Sequence, residues 1–123
     1  DRVATLDPRS ADIQELLVSC DVLLTDYSSV HFDVAYLGTP VIYTRFDEKE
    51  YNARHSSEVW FDARADGFGP VVETIEGSLD ALESLLAANL TVSAKYENRA
   101  REFFPFRDAK FCERVVREIR SLK

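Results

Sequence analysis

Asp21-Val22-Leu23-Leu24-Thr25-Asp26-Tyr27-Ser28-Ser29-Val30 decides how the chain folds. The apolar, β-favouring residues 22–25 end in a polar turn. An amphipathic pattern follows at once, with Val30, Val34 and Leu37 on one side and Phe32 beside them. The pattern predicts a strand over 22–25, a tight turn, and a helix over 29–37. Leu37-Gly38-Thr39-Pro40 stops that helix: Gly38 suits the left-handed position past the last turn, and Pro40 forbids continuation. Val41-Ile42-Tyr43 then reads as a buried parallel strand.

A strand, a turn and a helix start in an open α/β sheet make a favourable place for an anion. Free backbone N–H groups and the positive end of the helix dipole face outward there. Ser28 and Ser29 can cap the helix, or their hydroxyls can bond a phosphate. Both readings stand at this point. Asp26 is expected to bond backbone amides of the turn, since a carboxylate facing a diphosphate would repel it. Thr25 shapes the turn with it. Asp33 lies about one helical turn past the serines, within reach of ribose hydroxyls of a nucleotide whose phosphates rest on the turn.

Working outward, residues 2–6 read as a short first strand. Residues 12–19 read as a helix capped by Ser10 or Asp12, with Ile13, Leu16 and Leu17 inward. Residues 44–70 hold no long periodic run and read as an irregular loop, of a length usually kept for function. Residues 71–72 suggest a short strand, and 79–88 a helix after Ser78 as cap. Residues 91–104 and 108–122 suggest two more helices, broken at Pro105. Phe103-Phe104-Pro105-Phe106 is expected to be a core staple. Trp60 and Phe61 could stack on a base or pin the loop. His31 is expected on the exposed side of its helix, and His55 is a loop candidate for a ligand or acceptor contact. Two separated histidines and two separated cysteines give no zinc spacing, and no G-x-G-x-x-G or Walker loop is present. Neither metal nor cofactor is expected.

Thr25 to Tyr43, read TDYSSVHFDVAYLGTPVIY, followed by Asp47 and Tyr51, resembles the CDP-glycerol:poly(glycerophosphate) glycerophosphotransferases, the teichoic-acid polymerases and primases. The family pattern is close to T-D-Y-S-S-x-x-F-D, a short helix, P-V/I-I and D-x-x-x-Y. Phe61-Asp62, Gly67-Phe68-Gly69-Pro70 and Phe103-Phe104-Pro105-Phe106-Arg107-Asp108 resemble later family segments. The likeness runs from about residue 12 to 122. It implies a Rossmann-like parallel sheet flanked by helices, part of the C-terminal domain of a GT-B-type transferase. It implies donor diphosphate binding at Ser28 and Ser29, ribose binding at Asp33, and loop contacts from Asp47, Tyr51, Arg54 and His55. It further implies a CDP-linked donor such as CDP-glycerol, a teichoic-acid-type acceptor, and essential histidines upstream of this segment. Where the family has an Arg-Gly-x-Tyr segment, this chain has Arg54-His55-Ser56-Ser57-Glu58-Val59-Trp60, a departure on the acceptor side.

The chain has 123 residues, no methionine, and begins at Asp1, so it reads as a single-domain fragment lacking the N-terminal part of a larger protein. With 46% hydrophobic and 11% aromatic residues it can build a core, so disorder is not expected. Its net charge of −7 argues against a nucleic-acid partner. Residues 1–88 carry 6 basic and 17 acidic groups, whereas residues 89–123 carry 9 and 5. The basic third could lie against an anionic membrane, though solvated helix faces give the same balance. Cys20 and Cys112 form no framework and read as buried, reduced thiols in helices, which fits a cytoplasmic protein, peripheral at most on the inner membrane face. With the upstream histidines absent, the chain alone is expected to turn nothing over. Two alternatives share the architecture: the donor domain of a GT-B glycosyltransferase or sugar-nucleotide epimerase, and a non-catalytic receiver-like module with Asp26 at a strand end.

Overall fold

The computed structural model describes residues 3–7, 9–54 and 60–122. Their elements run α1 (Ile13–Ser19), β1 (Leu23–Thr25), α2 (Val30–Leu37), β2 (Val41–Thr44), α3 (Glu48–Arg54), β3 (Val71–Val72), α4 (Ile75–Ala87), α5 (Ala94–Phe103) and α6 (Phe111–Ser121). The fold is α/β: a three-stranded parallel sheet in the order β1-β2-β3, flanked by helices. Leu23 pairs with Val41 and Thr25 with Tyr43, so the carboxyl ends of β1 and β2 finish side by side. Thr44 Oγ1 donates to the Thr25 carbonyl at 3.1 Å and ties those ends together.

The predicted strand–helix–strand unit forms as its residues dictate. Gly38 takes φ 88°, its N–H bonds the Ala35 carbonyl, and Thr39 N–H bonds that of Val34. Those bonds satisfy the last carbonyls of α2. Val41, Ile42 and Tyr43 are almost wholly buried, as a central parallel strand requires. Each such side chain contributes about 1.5–3 kcal/mol by leaving water. The buried face of α2 is His31, Val34 and Ala35, whereas Leu37 stays 49% exposed. The helix is rotated from the predicted Val30–Val34–Leu37 stripe because β2 and the aromatic side chains around Phe68 both press on it.

Several expectations are corrected. Residues 3–6 form no strand. The 44–70 segment is not wholly irregular: β2 extends to Thr44, and α3 occupies Glu48–Arg54. That helix is short and polar, so it carries no apolar period to read. Thr74, not Ser78, caps α4, its hydroxyl accepting from Gly77 N–H at 3.0 Å. Ser78 lies inside the helix, buried, donating back to the Thr74 carbonyl. Asp12 caps α1 as expected, accepting from Gln14 and Glu15 N–H. Only Leu17 of the three inward residues packs on the core, since Ile13 and Leu16 are more than two-fifths exposed. Cys20 is half-buried against the core, but Cys112 is exposed.

Aromatic side chains hold residues 60–70 in place. Phe61 and Phe68 meet Phe32 from α2 and Phe103 from α5, with ring centres 5.0–6.1 Å apart. Of the expected core staple only Phe104 packs on the core; Phe103 joins the ring contacts but is 41% exposed, and Phe106 is 55% exposed. Phe61 pins the loop. Trp60 stacks outside it on Phe32 and remains 75% exposed. Arg64 adds ion pairs to Glu48 and Glu73, and Arg99 donates to the Gly67 carbonyl at 2.9 Å.

The Gly67–Pro70 segment owes its two glycines to crowding. A Cβ on Gly69 would collide with the Val41 carbonyl, and one on Gly67 with that of Ala63. Both are rigid backbone. Gly69→Ala should therefore cost about 3 kcal/mol or more, through overpacking in a place that cannot yield. Gly38→Ala meets open space and suffers only its left-handed φ, so about 1–2 kcal/mol is expected. Urea unfolding of both variants checks this ranking; equal losses would refute it.

Candidate functional site

The turn at residues 26–29 leaves the carboxyl end of β1 and enters α2. Asp26 Oδ1 accepts from Tyr27 N–H at 2.6 Å, as expected of a carboxylate that shapes the turn. Thr25 is buried beneath it. Ser29 occupies the cap position of α2 in a helical conformation and makes no side-chain cap bond. Ser28 Oγ accepts from Val30 N–H at only the long distance of 3.5 Å. The capping reading therefore explains little of why two serines stand here. Both are exposed, and so is Asp33, one turn along α2.

The structure brings Asp47 and Tyr51 to this turn through Tyr27. The Tyr27 hydroxyl donates to Asp47 Oδ1 at 3.1 Å, and its ring lies parallel to Tyr51 at 3.4 Å. Asp47 stands just before α3, and its carbonyl accepts the Tyr51 N–H at 2.9 Å. The D-x-x-x-Y spacing thus lets the start of one short helix meet Tyr27 at both hydroxyl and ring face. Burial, reinforced by the Asp47 carboxylate, pushes the Tyr27 phenol up to about 12. Arg54, by contrast, closes α3 with an exposed approach to Glu50 at 4.0 Å and is not joined to the turn. His55 lies outside the described residues.

His31 is buried, against expectation, on the first turn of α2. Its Nδ1 faces the Tyr43 hydroxyl at 3.1 Å, and that oxygen accepts the Phe68 N–H at 3.3 Å. A hydroxyl that accepts from the amide has its own proton for His31. Nδ1 is then the acceptor, and the ring is neutral with its proton on Nε2. Burial, then the nearby Arg45 cation, drives its pKa down to about 4. It is a packing residue under the turn. Its aromatic surroundings contribute to that burial, with Phe32 at 4.0 Å and Phe61 at 5.0 Å.

Sequence reading assigned no role to Tyr27 or Arg45. Arg45 follows β2 directly and lays its guanidinium 4.0 Å over the Tyr27 ring. A signal was present: it is the only lysine or arginine between residues 10 and 48. Among the described residues no group of three or more His, Cys, Asp or Glu could hold a metal ion. Clefts of about 430 and 340 Å³ open near the start of β2, lined by Gly38, Thr39 and Tyr96 and by Pro40, Gly69 and Tyr96. Neither reaches residues 26–29, where Ser28 and Ser29 stand exposed as on a shelf.

An α/β fold with a parallel sheet flanked by helices is what the sequence resemblance implied. The chain belongs to the CDP-Glycerol:Poly(glycerophosphate) glycerophosphotransferase family, whose profile matches residues 1–121. It is 33% identical over 113 residues to the minor teichoic acid biosynthesis protein GgaB of Bacillus subtilis (strain 168), covering 92% of this chain and 12% of that protein. It is 34% identical over 101 residues to the teichoic acid poly(glycerol phosphate) polymerase of the same organism, covering 82% of this chain and 12% of the polymerase. The teichoic acid glycerol-phosphate transferase of Staphylococcus aureus (strain NCTC 8325 / PS 47) is 30% identical over 111 residues, covering 88% of this chain and 28% of that protein. The chain thus spans a small part of the relatives it matches. No solved structure matches it significantly. The family is one of glycerophosphotransferase-like enzymes, which sets aside the receiver-like alternative.

Neutral, buried His31 makes stability depend on pH. The unfolded chain protonates this histidine near 6.5, the native state only near 4. Its contribution is therefore complete above pH 6.5 and is lost as pH falls toward 4, by at most roughly 3 kcal/mol. His31→Gln keeps an acceptor for Tyr43 and should flatten this part of the profile. Denaturation midpoints from pH 4 to 7 for both proteins check it; an unchanged slope would remove His31 as the cause.

Proposed function

We propose that this chain is the donor-binding part of a transferase that moves glycerol phosphate, or a related polyol phosphate, from a CDP-linked donor to a teichoic-acid-type polymer. One observation carries the reading: two exposed serine hydroxyls, scarcely used as caps, stand where β1 ends and α2 begins. There they can bond a diphosphate together with the free N–H groups of the first helical turn. Asp33, exposed on the same turn, accepts from the ribose hydroxyls. In the transfer, an acceptor hydroxyl attacks the β-phosphorus, the anhydride bond to CMP breaks, and CMP leaves. The acceptor proton goes to a base outside this chain. What these residues supply is orientation and hydrogen bonding to the diphosphate.

The remainder of the site belongs, in this reading, to an N-terminal domain of a GT-B-type protein that closes over the shelf. Exposed apolar side chains support such a partner: Leu24 on β1 and Val115 and Ile119 on α6 are 46–57% exposed. The finding that the chain matches 12–28% of its relatives' length fits as well. Among the described residues no helix is long and apolar enough to cross a membrane.

Replacing Ser28 and Ser29 together by alanine should weaken CDP-glycerol binding by the full-length protein by about 1–3 kcal/mol, the worth of bonds to a charged group. Thermal stability should barely change, because the caps contribute little. Undiminished affinity by calorimetry would leave the serines without this role. Asp33→Asn should weaken CDP binding more than binding of free glycerol phosphate, in the same assay. Equal losses would take Asp33 off the ribose.

A further inference from the structure

Arg45 stands in an acidic stretch with no acid to answer it. Among the described residues it forms no ion pair within 4.0 Å, and its Nε is buried without a hydrogen-bond partner. A half-buried guanidinium is normally paired, because desolvating it is costly. Asp47, two residues away, makes no ion pair with it and accepts from the Tyr27 hydroxyl instead. The cation is nonetheless held firmly. Its backbone N–H bonds the Val72 carbonyl at 2.7 Å. Its guanidinium covers one face of the Tyr27 ring at 4.0 Å, and Tyr51 covers the other at 3.4 Å. Stacking fixes the plane of the fork, and among the described residues no side chain or carbonyl takes a hydrogen bond from it. Tyr27 directly precedes Ser28, so the cation lies at the rim of the serine shelf. Two hydroxyls and a helix terminus supply hydrogen bonds to a diphosphate but no full positive charge.

We propose that Arg45 is a donor-binding residue, its guanidinium neutralising the diphosphate of a nucleoside diphosphate held on Ser28 and Ser29. The assignment rests on the donor-binding reading above. It also gives the Tyr27–Asp47–Tyr51 grip a purpose: it orients the ring that carries the cation.

The test uses calorimetry on the full-length protein with CDP-glycerol, CDP and CMP at low and moderate salt. Arg45→Gln should weaken CDP-glycerol and CDP about 10- to 100-fold, CMP distinctly less, and reduce the salt dependence of CDP binding. Arg45→Lys keeps the charge but loses the fork. It should show intermediate CDP affinity with the CDP-over-CMP preference retained. Equal losses for CDP and CMP, or a lysine variant no better than glutamine, would mean that Arg45 only supports Tyr27, and would overturn the proposal. CDP affinity unchanged in Arg45→Gln but lost in the double serine variant would overturn it while leaving the donor site standing. Affinity unchanged in both would overturn the donor-site reading itself.

Discussion

The buried hydroxyl of Tyr43 joins the parts of this protein that matter. Its ring is fully buried in β2, and its oxygen accepts the Phe68 N–H while donating to His31. Three segments remote in sequence meet at one atom: the central strand, the first turn of α2, and the Gly67–Pro70 stretch. An unpaired polar group at this depth would be costly, so each partner is needed by the other two. The consequence is positional. With His31 fixed from below, α2 cannot rotate, and the turn that precedes it presents Ser28 and Ser29 outward.

Electrostatics then gives the shelf its character. The first 88 residues are strongly acidic, which would repel a nucleotide diphosphate. The turn answers locally. Asp26 turns its carboxylate back onto the Tyr27 amide, and Asp47 is engaged by a phenol. Among the described residues Arg45 has no carboxylate within 4.0 Å. Local arrangement thus runs against the sign of the chain as a whole beside the turn, as the proposed donor site would require.

Residues 44–54 and 60–70 show how a region without apolar periodicity still takes a defined place. They are held by rings and by backbone proximity rather than by a long amphipathic helix. Phe61 and Phe68 enter the aromatic group shared with α2 and α5, Gly69 lies against the Val41 carbonyl, and Arg64 links Glu48 to Glu73. The α3 helix, with Asp47 just before it and Tyr51 within it, takes its position from these anchors and from the stack on Tyr27.

Much of this was legible in the amino-acid order. Strand, turn and helix from Val22 to Tyr43 follow from local pattern, a glycine and a proline, and the same residues carried the family likeness and the candidate serines. Local signals suffice there because β-α-β units are built from contacts between neighbours in sequence. What needed the tertiary structure was every relation between distant segments. Burial of His31 depends on Phe61 and Phe68, some 30 residues away, so its own helix gave no hint. The short polar α3 has no period to read, and its role comes only from the ring of Tyr27. Ser78 carries a plausible cap residue's side chain, yet Thr74 starts α4, because β3 ends just before it. Arg45 was visible as a lone cation, but only the fold shows that it stacks on Tyr27 and meets no carboxylate among the described residues. Sequence determined which local elements form, since hydrogen bonding and patterning act over a few residues. The fold decided which side chains are buried, paired or left open, since those depend on contacts that no local pattern encodes.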